Sequence, residues 1–278
     1  MRKLIYILNF VTGFRPVSPF IKLIEMGFFT FLPLILGAVA AATVYSVRRA
    51  RARARALEME GLAQRLGLSF TKDDLYGLAS QLKDFDLFRR ERSWFSRRSR
   101  VNNVMRGQVD GTDVYLFDYS YVVSSGKSSR RITQTVFFAN DTRWYLPDFH
   151  LRPENWWQKI RALFDKRDIN FPENPEFSDQ FWITGELESL IRKTFGPEVQ
   201  QFLCERPPVH LEGSNFYLLA YKPRKALRGE EAAAFFEHCC QLVKLLKQEG
   251  KLELLNLAEL KTAAEPLKAP SMPEKEEQ

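Results

Sequence analysis

The stretch NVMRGQVDGTDVYLFDYSYVV, residues 103–123, decides the fold. Its apolar side chains recur with a period of two, the repeat of a pleated strand, on either side of Asp110-Gly111. An Asp-Gly pair between alternating runs predicts strand 104–109, a tight turn, and strand 113–123. In the second strand Tyr115, Phe117, Tyr119 and Tyr121 share one face, while Val114, Leu116, Asp118 and Ser120 take the other. Cross-strand packing is the ordinary work of such an aromatic ladder, and a ligand platform is the alternative.

Further along the chain, the loop 124–131 (SSGKSSRR) leads into a third alternating run, 132–138. Gly126-Lys127-Ser128 resembles the tail of a phosphate-binding loop. That motif needs glycine where Tyr121 stands and a helix where a strand pattern follows, so the loop reads as a basic hairpin tip. His150-Leu151-Arg152-Pro153-Glu154 predicts a helix start with proline in the first turn, carrying Trp156, Trp157, Ile160, Leu163 and Phe164 on one face. Residues 164–171 and 177–184 read as strands around the turn 172–175. Next comes a helix over 186–195 with Leu187, Leu190, Ile191 and Phe195 inward. Gly196-Pro197 breaks it and starts another, burying Val199, Phe202 and Leu203. Residues 209–212 and 215–221 form a second predicted hairpin around Gly213-Ser214. Residues 229–248 follow as a long helix with Ala232, Phe235, Phe236, Cys239, Val243 and Leu246 in one stripe. A short helix over 252–260 and a Pro- and charge-rich tail close the chain.

On the N-terminal side of the hairpin, 68–70 reads as a short strand and 73–82 as a polar connector. Residues 86–100, DLFRRERSWFSRRSR, interleave six arginines with Phe88, Trp94 and Phe95. Aromatics that pack while arginines reach outward are the plain reading; membrane contact and base stacking are the alternatives.

Further upstream lies GFFTFLPLILGAVAAATVYSV, residues 27–47, which is 21 residues without a charge. At about 1.5 Å per residue such a helix reaches roughly 30 Å, the hydrocarbon thickness of a bilayer. Arg48, Arg49, Arg51, Arg53 and Arg55 follow at once and predict a cytoplasmic C-terminal side. Pro33 sits within the span, where membranes tolerate it. The first 26 residues read as an interfacial segment, or as an extension if translation starts at Met26. A cleaved leader is disfavoured by the arginines after the Ala-rich end.

Charge partitions the same way. Of 41 Lys/Arg and 34 Asp/Glu, residues 1–55 hold nine and one, which leaves 32 against 33 beyond them. The basicity belongs to the membrane segment, so nucleic acid is not an expected partner. Cys204, Cys239 and Cys240 make no disulfide framework and read as core-lining thiols of a reducing compartment. His150, His210 and His238 stand far apart in sequence, with no metal-ligand spacing. Asp84, Asp86, Asp118, Asp165 and Asp168 sit in no catalytic motif, and Asp118 needs a partner if buried. No catalytic, cofactor or metal residues are therefore assigned.

The succession FDYSY (117–121), the Ser/Gly/Lys loop, HLRPE (150–154), INFPENPEFSDQFWITG (169–185) and HLEGSNFYLLAYKPRK (210–225) resembles an uncharacterised bacterial membrane-anchored family. That family carries a domain of unknown function behind one or two N-terminal membrane helices. The resemblance implies architecture and a bacterial source, and supplies no functional residues.

Together these readings predict an α+β protein, an antiparallel sheet of hairpins with flanking amphipathic helices behind a single N-terminal transmembrane helix. A small barrel or pleckstrin-like arrangement is the alternative closure of the same strands. The expected divisions are an interfacial segment 1–26, a transmembrane helix 27–47 and a basic juxtamembrane helix 48–66. A cytosolic domain 67–250 and a flexible tail 251–278 complete them. The expected function is a non-enzymatic interaction or regulatory module in the bacterial inner membrane, with the bilayer and a protein as partners. The alternative is a lipid-binding module using Arg48, Arg49, Arg51, Arg53, Arg55, Arg89, Arg90, Trp94, Arg97 and Arg98. An enzyme with an unrecognised site is the third reading.

Overall fold

The computed structural model describes residues 19–90, 99–125, 128–153 and 169–263, and the chain divides into two compact units, Met1–Arg55 and Ala56–Gln278. The expectations for 1–18, for Trp94, Arg97 and Arg98, for the Trp156–Phe164 helix face, for Asp165 and Asp168, and for residues 264–278 of the tail lie outside the described residues.

Helix α1 (Pro19–Arg65) runs 47 residues, through Pro33. Over Phe31–Arg65 it is long and apolar enough to cross a membrane. Phe31, Leu34 and Ile35 point outward, as lipid-facing side chains do. The hydroxyls of Thr43 and Ser46 donate back to the carbonyls of Val39 and Thr43 at 2.8 and 2.9 Å, so neither is left unsatisfied in an apolar setting. The last turns of α1 belong to the second unit, where Ala56, Met59, Leu62 and Ala63 recur at helical spacing and are buried. Gly67, at φ +68, ends the helix in the left-handed conformation, and the Leu68 N–H returns to the Ala63 carbonyl at 2.8 Å.

The second unit is built on one eight-stranded sheet, every pair antiparallel. Its strands are β1 (Ser69–Asp73), β2 (Arg100–Val109), β3 (Thr112–Ser125), β4 (Ser128–Asn140), β5 (Leu146–Pro153), β6 (Phe181–Gly185), β7 (His210–Asn215) and β8 (Tyr217–Tyr221). The neighbour order is β1-β2-β3-β4-β8-β7-β5-β6. With short helices α2 (Leu78–Gln81), α3 (Asp86–Arg90), α4 (Pro175–Gln180), α5 (Glu188–Thr194), α6 (Pro197–Cys204) and the long α7 (Gly229–Ala263), the class is α+β. Between β2 and β3 both Asp110 and Gly111 have positive φ, 49° and 74°, as a two-residue hairpin turn demands.

Five sequence expectations are corrected. Most of the loop 124–131 is strand, because β3 and β4 stay paired out to Ser125↔Ser128. His150–Pro153 is the end of β5, not a helix start; Leu146, Phe149 and Leu151 have core to fill, and the missing proline N–H falls at the strand's last residue. Phe177–Gln180 is helix, because Asn174 caps it, its Oδ1 accepting the Phe177 N–H at 3.1 Å, and Pro175 sits in the first turn. The β7–β8 turn lies at Asn215-Phe216, with Ser214↔Tyr217 paired. Gly213 is interior to β7, where any Cβ would overlap the Phe149 ring. Leu187 also departs from its expected inward face: it precedes α5 and is 52% exposed, while Ile191 and Phe195 are buried.

Two hydrophobic cores lie on opposite faces of the sheet. Val114 and Leu116 belong to the larger, with the end of α1 and with Phe177, Ile191, Val199, Phe236 and Val243 from α4 to α7. Cys239 and Cys240 are buried in it. Tyr115, Phe117, Tyr119 and Tyr121 belong to the smaller, roofed by Leu78, Leu82, Phe85, Leu87 and Phe88. The aromatic ladder is thus core, with the Phe88 and Tyr119 ring centres 4.3 Å apart.

Candidate functional site

The antiparallel register lays polar side chains onto the aromatic face where β8, β7, β5 and β6 meet. One row carries Leu219, Glu212, His150 and Thr184 in successive pairings. In the neighbouring row Tyr221 pairs with His210, and Arg152 with Trp182. Residues two apart on a strand share a face, so Glu212 and His210, and likewise His150 and Arg152, point the same way.

Glu212 is the centre of this group and is 3% exposed. Its carboxylate accepts the Tyr221 hydroxyl at 2.8 Å and the backbone N–H groups of Asp86 at 2.6 Å and Leu87 at 3.1 Å. A buried carboxylate thereby holds the first turn of α3 against the sheet. Burial pushes its carboxyl up to about 7, and the nearby Asp86 carboxylate pushes the same way, against the three donors. Asp86 itself pairs with Arg89 on one side and stands 3.5 Å from His150 Nδ1 on the other. The His150 and His210 rings are 6.2 Å apart, and His210 stacks on Tyr221 at 5.2 Å. Arg152 lies over the Trp182 indole at 3.7 Å. Two histidines 60 positions apart thus share one site, which their sequence separation concealed.

Two further polar clusters hold the fold. Asp118, 2% exposed, accepts from Asn103 Nδ2 at 3.0 Å and the Thr135 hydroxyl at 3.3 Å; Thr135 in turn accepts the Leu227 N–H. An amide and a hydroxyl are thus among the partners that a buried aspartate needs. Asp141 accepts from Thr112 at 2.7 Å, Lys247 at 2.8 Å and the Arg143 side chain and backbone. Those bonds, Arg143 foremost, hold its carboxyl well below the usual carboxylate range. Lys247 also reaches the Asp110 carbonyl, tying α7 to the β2–β3 turn.

His238 is placed apart from the other histidines, its ring edge-on to Phe202 at 5.1 Å, and burial brings it down to about 4. Among the described residues, no group of three His, Cys, Asp or Glu side chains is placed to hold a metal ion. Of the expected contact residues, Arg48, Arg49, Arg51 and Arg53 are exposed on α1, and Arg55 is half-buried. Arg89 is tied to Asp86, and Arg90 ends α3.

No family model, no curated protein and no solved structure matches this chain.

Proposed function

We propose that this protein is a single-pass membrane protein whose α+β domain works in the cytoplasm as a non-enzymatic interaction or regulatory module. The observation that carries the reading is the exposed apolar run of α1, followed directly by Arg48, Arg49, Arg51 and Arg53. Basic residues flanking a span on one side favour retention of that side in the cytoplasm. Asp118 and Asp141 are engaged in the hydrogen bonds described above, which give each buried carboxyl a structural role. The resemblance to a bacterial membrane-anchored family points to the bacterial inner membrane as the setting. Crosslinking of the tagged full-length protein in cells, with residues 1–56 as control, tests the reading. A reproducible protein partner absent from the control supports it; crosslinks matching the control overturn the interaction role.

The exposed arginines of α1 favour a second reading, contact with anionic lipid, at about 1 kcal/mol per basic residue near the headgroups. The same reading assigns Arg89, Arg90, Trp94, Arg97 and Arg98 to lipid contact as well. Charge reversal at Arg89 and Arg90 should then weaken partition onto anionic vesicles, and unchanged partition removes these two from the account.

A further inference from the structure

Glu212 is joined to α3 by two backbone hydrogen bonds, at Asp86 and Leu87, and to β8 by the Tyr221 hydroxyl. From the geometry we infer that Glu212, Asp86 and His150 form a proton-operated latch, which holds segment 86–90 on the sheet in acid and loosens it above neutral pH. The latch lies within the domain and does not depend on the partner reading above.

Several groups face the Glu212 carboxyl among the described residues. From α3 come Asp86, and through it Arg89; from β5, His150 and Arg152; from β7, His210; from β8, Tyr221. Two carboxylates therefore meet where α3 docks. When both are ionised and His150 is neutral, Arg89 remains as a cationic partner of Asp86, and it is largely exposed. Ionisation of Glu212 then adds a second negative charge at a site that the roof seals from water, Glu212 being 3% exposed. Protonation of Glu212 removes one of the two charges, and protonation of His150 turns its 3.5 Å approach to Asp86 into an ion pair. Both events strengthen the docked state.

Lifting α3 exposes Glu212 to water and returns it to the ordinary carboxyl range near 4.5, against about 7 when docked. The docked state thus binds the proton more tightly. Its stabilisation is complete below 4.5 and is lost as pH rises through about 7. The His150–Asp86 pair changes in the same direction, because a protonated imidazole is required for it.

Hydrogen–deuterium exchange on the full-length protein in detergent micelles, corrected for intrinsic exchange rates, reads the latch directly. Protection of the amides of 86–90 should fall about tenfold or more between about pH 5.5 and about pH 8.5. Glu212→Gln should keep protection high at both pH values, because the neutral amide removes the repulsion and still accepts hydrogen bonds. Equal protection of the wild-type segment at both pH values overturns the proposal, as does an undiminished fall in Glu212→Gln. Should that variant not fold, Asp86→Asn keeps the backbone N–H and removes the second carboxylate. It must shrink the fall, and an unchanged fall there also overturns the latch.

Discussion

The carboxylate of Glu212 accepts the backbone N–H of Asp86 at 2.6 Å, across 126 residues of sequence. Three donors meet a side chain that the sheet has sealed between β7 and a helix roof. Removing one of them should therefore cost more than a surface hydrogen bond would.

Tyr221→Phe tests this. It deletes the hydroxyl that donates to Glu212 at 2.8 Å while keeping the ring that stacks on His210. A buried acceptor losing a donor costs about 1–3 kcal/mol. The loss should be larger at about pH 8 than at about pH 5.5, since the ionised carboxyl needs the donor most. Denaturant unfolding at both pH values measures it; an equal loss at the two would separate the hydroxyl from the charge.

Asp141→Asn should loosen the clasp among Thr112, Arg143 and Lys247 by about 2–4 kcal/mol. The lowered carboxyl of Asp141 means that its contribution is present above the ordinary value of 3.8 and is lost as pH falls below it. Acid unfolding of the variant should accordingly be shallower than that of the wild type below 3.8, which circular dichroism against pH records.

The C-terminal turns of α1 are core, not linker. Met59→Ala should cost about 2–5 kcal/mol, because Met59 is fully buried. Leu57→Ala, at a position 68% exposed in the same turn, should stay within about 0.5 kcal/mol. Similar midpoints for the two variants in thermal unfolding would contradict the packing described here.

Gly111→Ala places a Cβ at φ +74, against the Arg143 guanidinium. Backbone strain at the turn and displacement of Arg143 from Asp141 act together, for a loss of about 1–3 kcal/mol. A variant as stable as the wild type would show that the turn tolerates a side chain.

The sequence made the β2–β3 hairpin, both faces of β3 and the apolar stripe of α7 legible, because each is a local period. It did not reveal the Glu212 site. In His210-Leu211-Glu212 the alternation puts Leu211 in the larger core, so His210 and Glu212 read as an ordinary solvated face. Among the described residues, the roof made by 78–88 turns that face inward, and it arrives from more than a hundred residues away. His150 was hidden for a different reason. Pro153 can open a helix or close a strand, and pairing with β6 and β7 decided for the strand. Asn174 before Pro175 signals the α4 start as clearly as any cap, yet the phenylalanines of 171–181 resemble a strand when read by hydrophobicity alone.

The placement of the domain is tested most directly by thiol labelling at position 75. Leu75 is 75% exposed, and Cys239 and Cys240 are buried, so Leu75→Cys in a Cys204→Ser background offers one reactive site. With a membrane-impermeant maleimide, spheroplasts should give no labelling until they are permeabilised, and the full-length protein should remain in alkali-washed membranes. Labelling of sealed spheroplasts, or recovery of a shortened soluble protein, would contradict a membrane-anchored domain facing the cytoplasm.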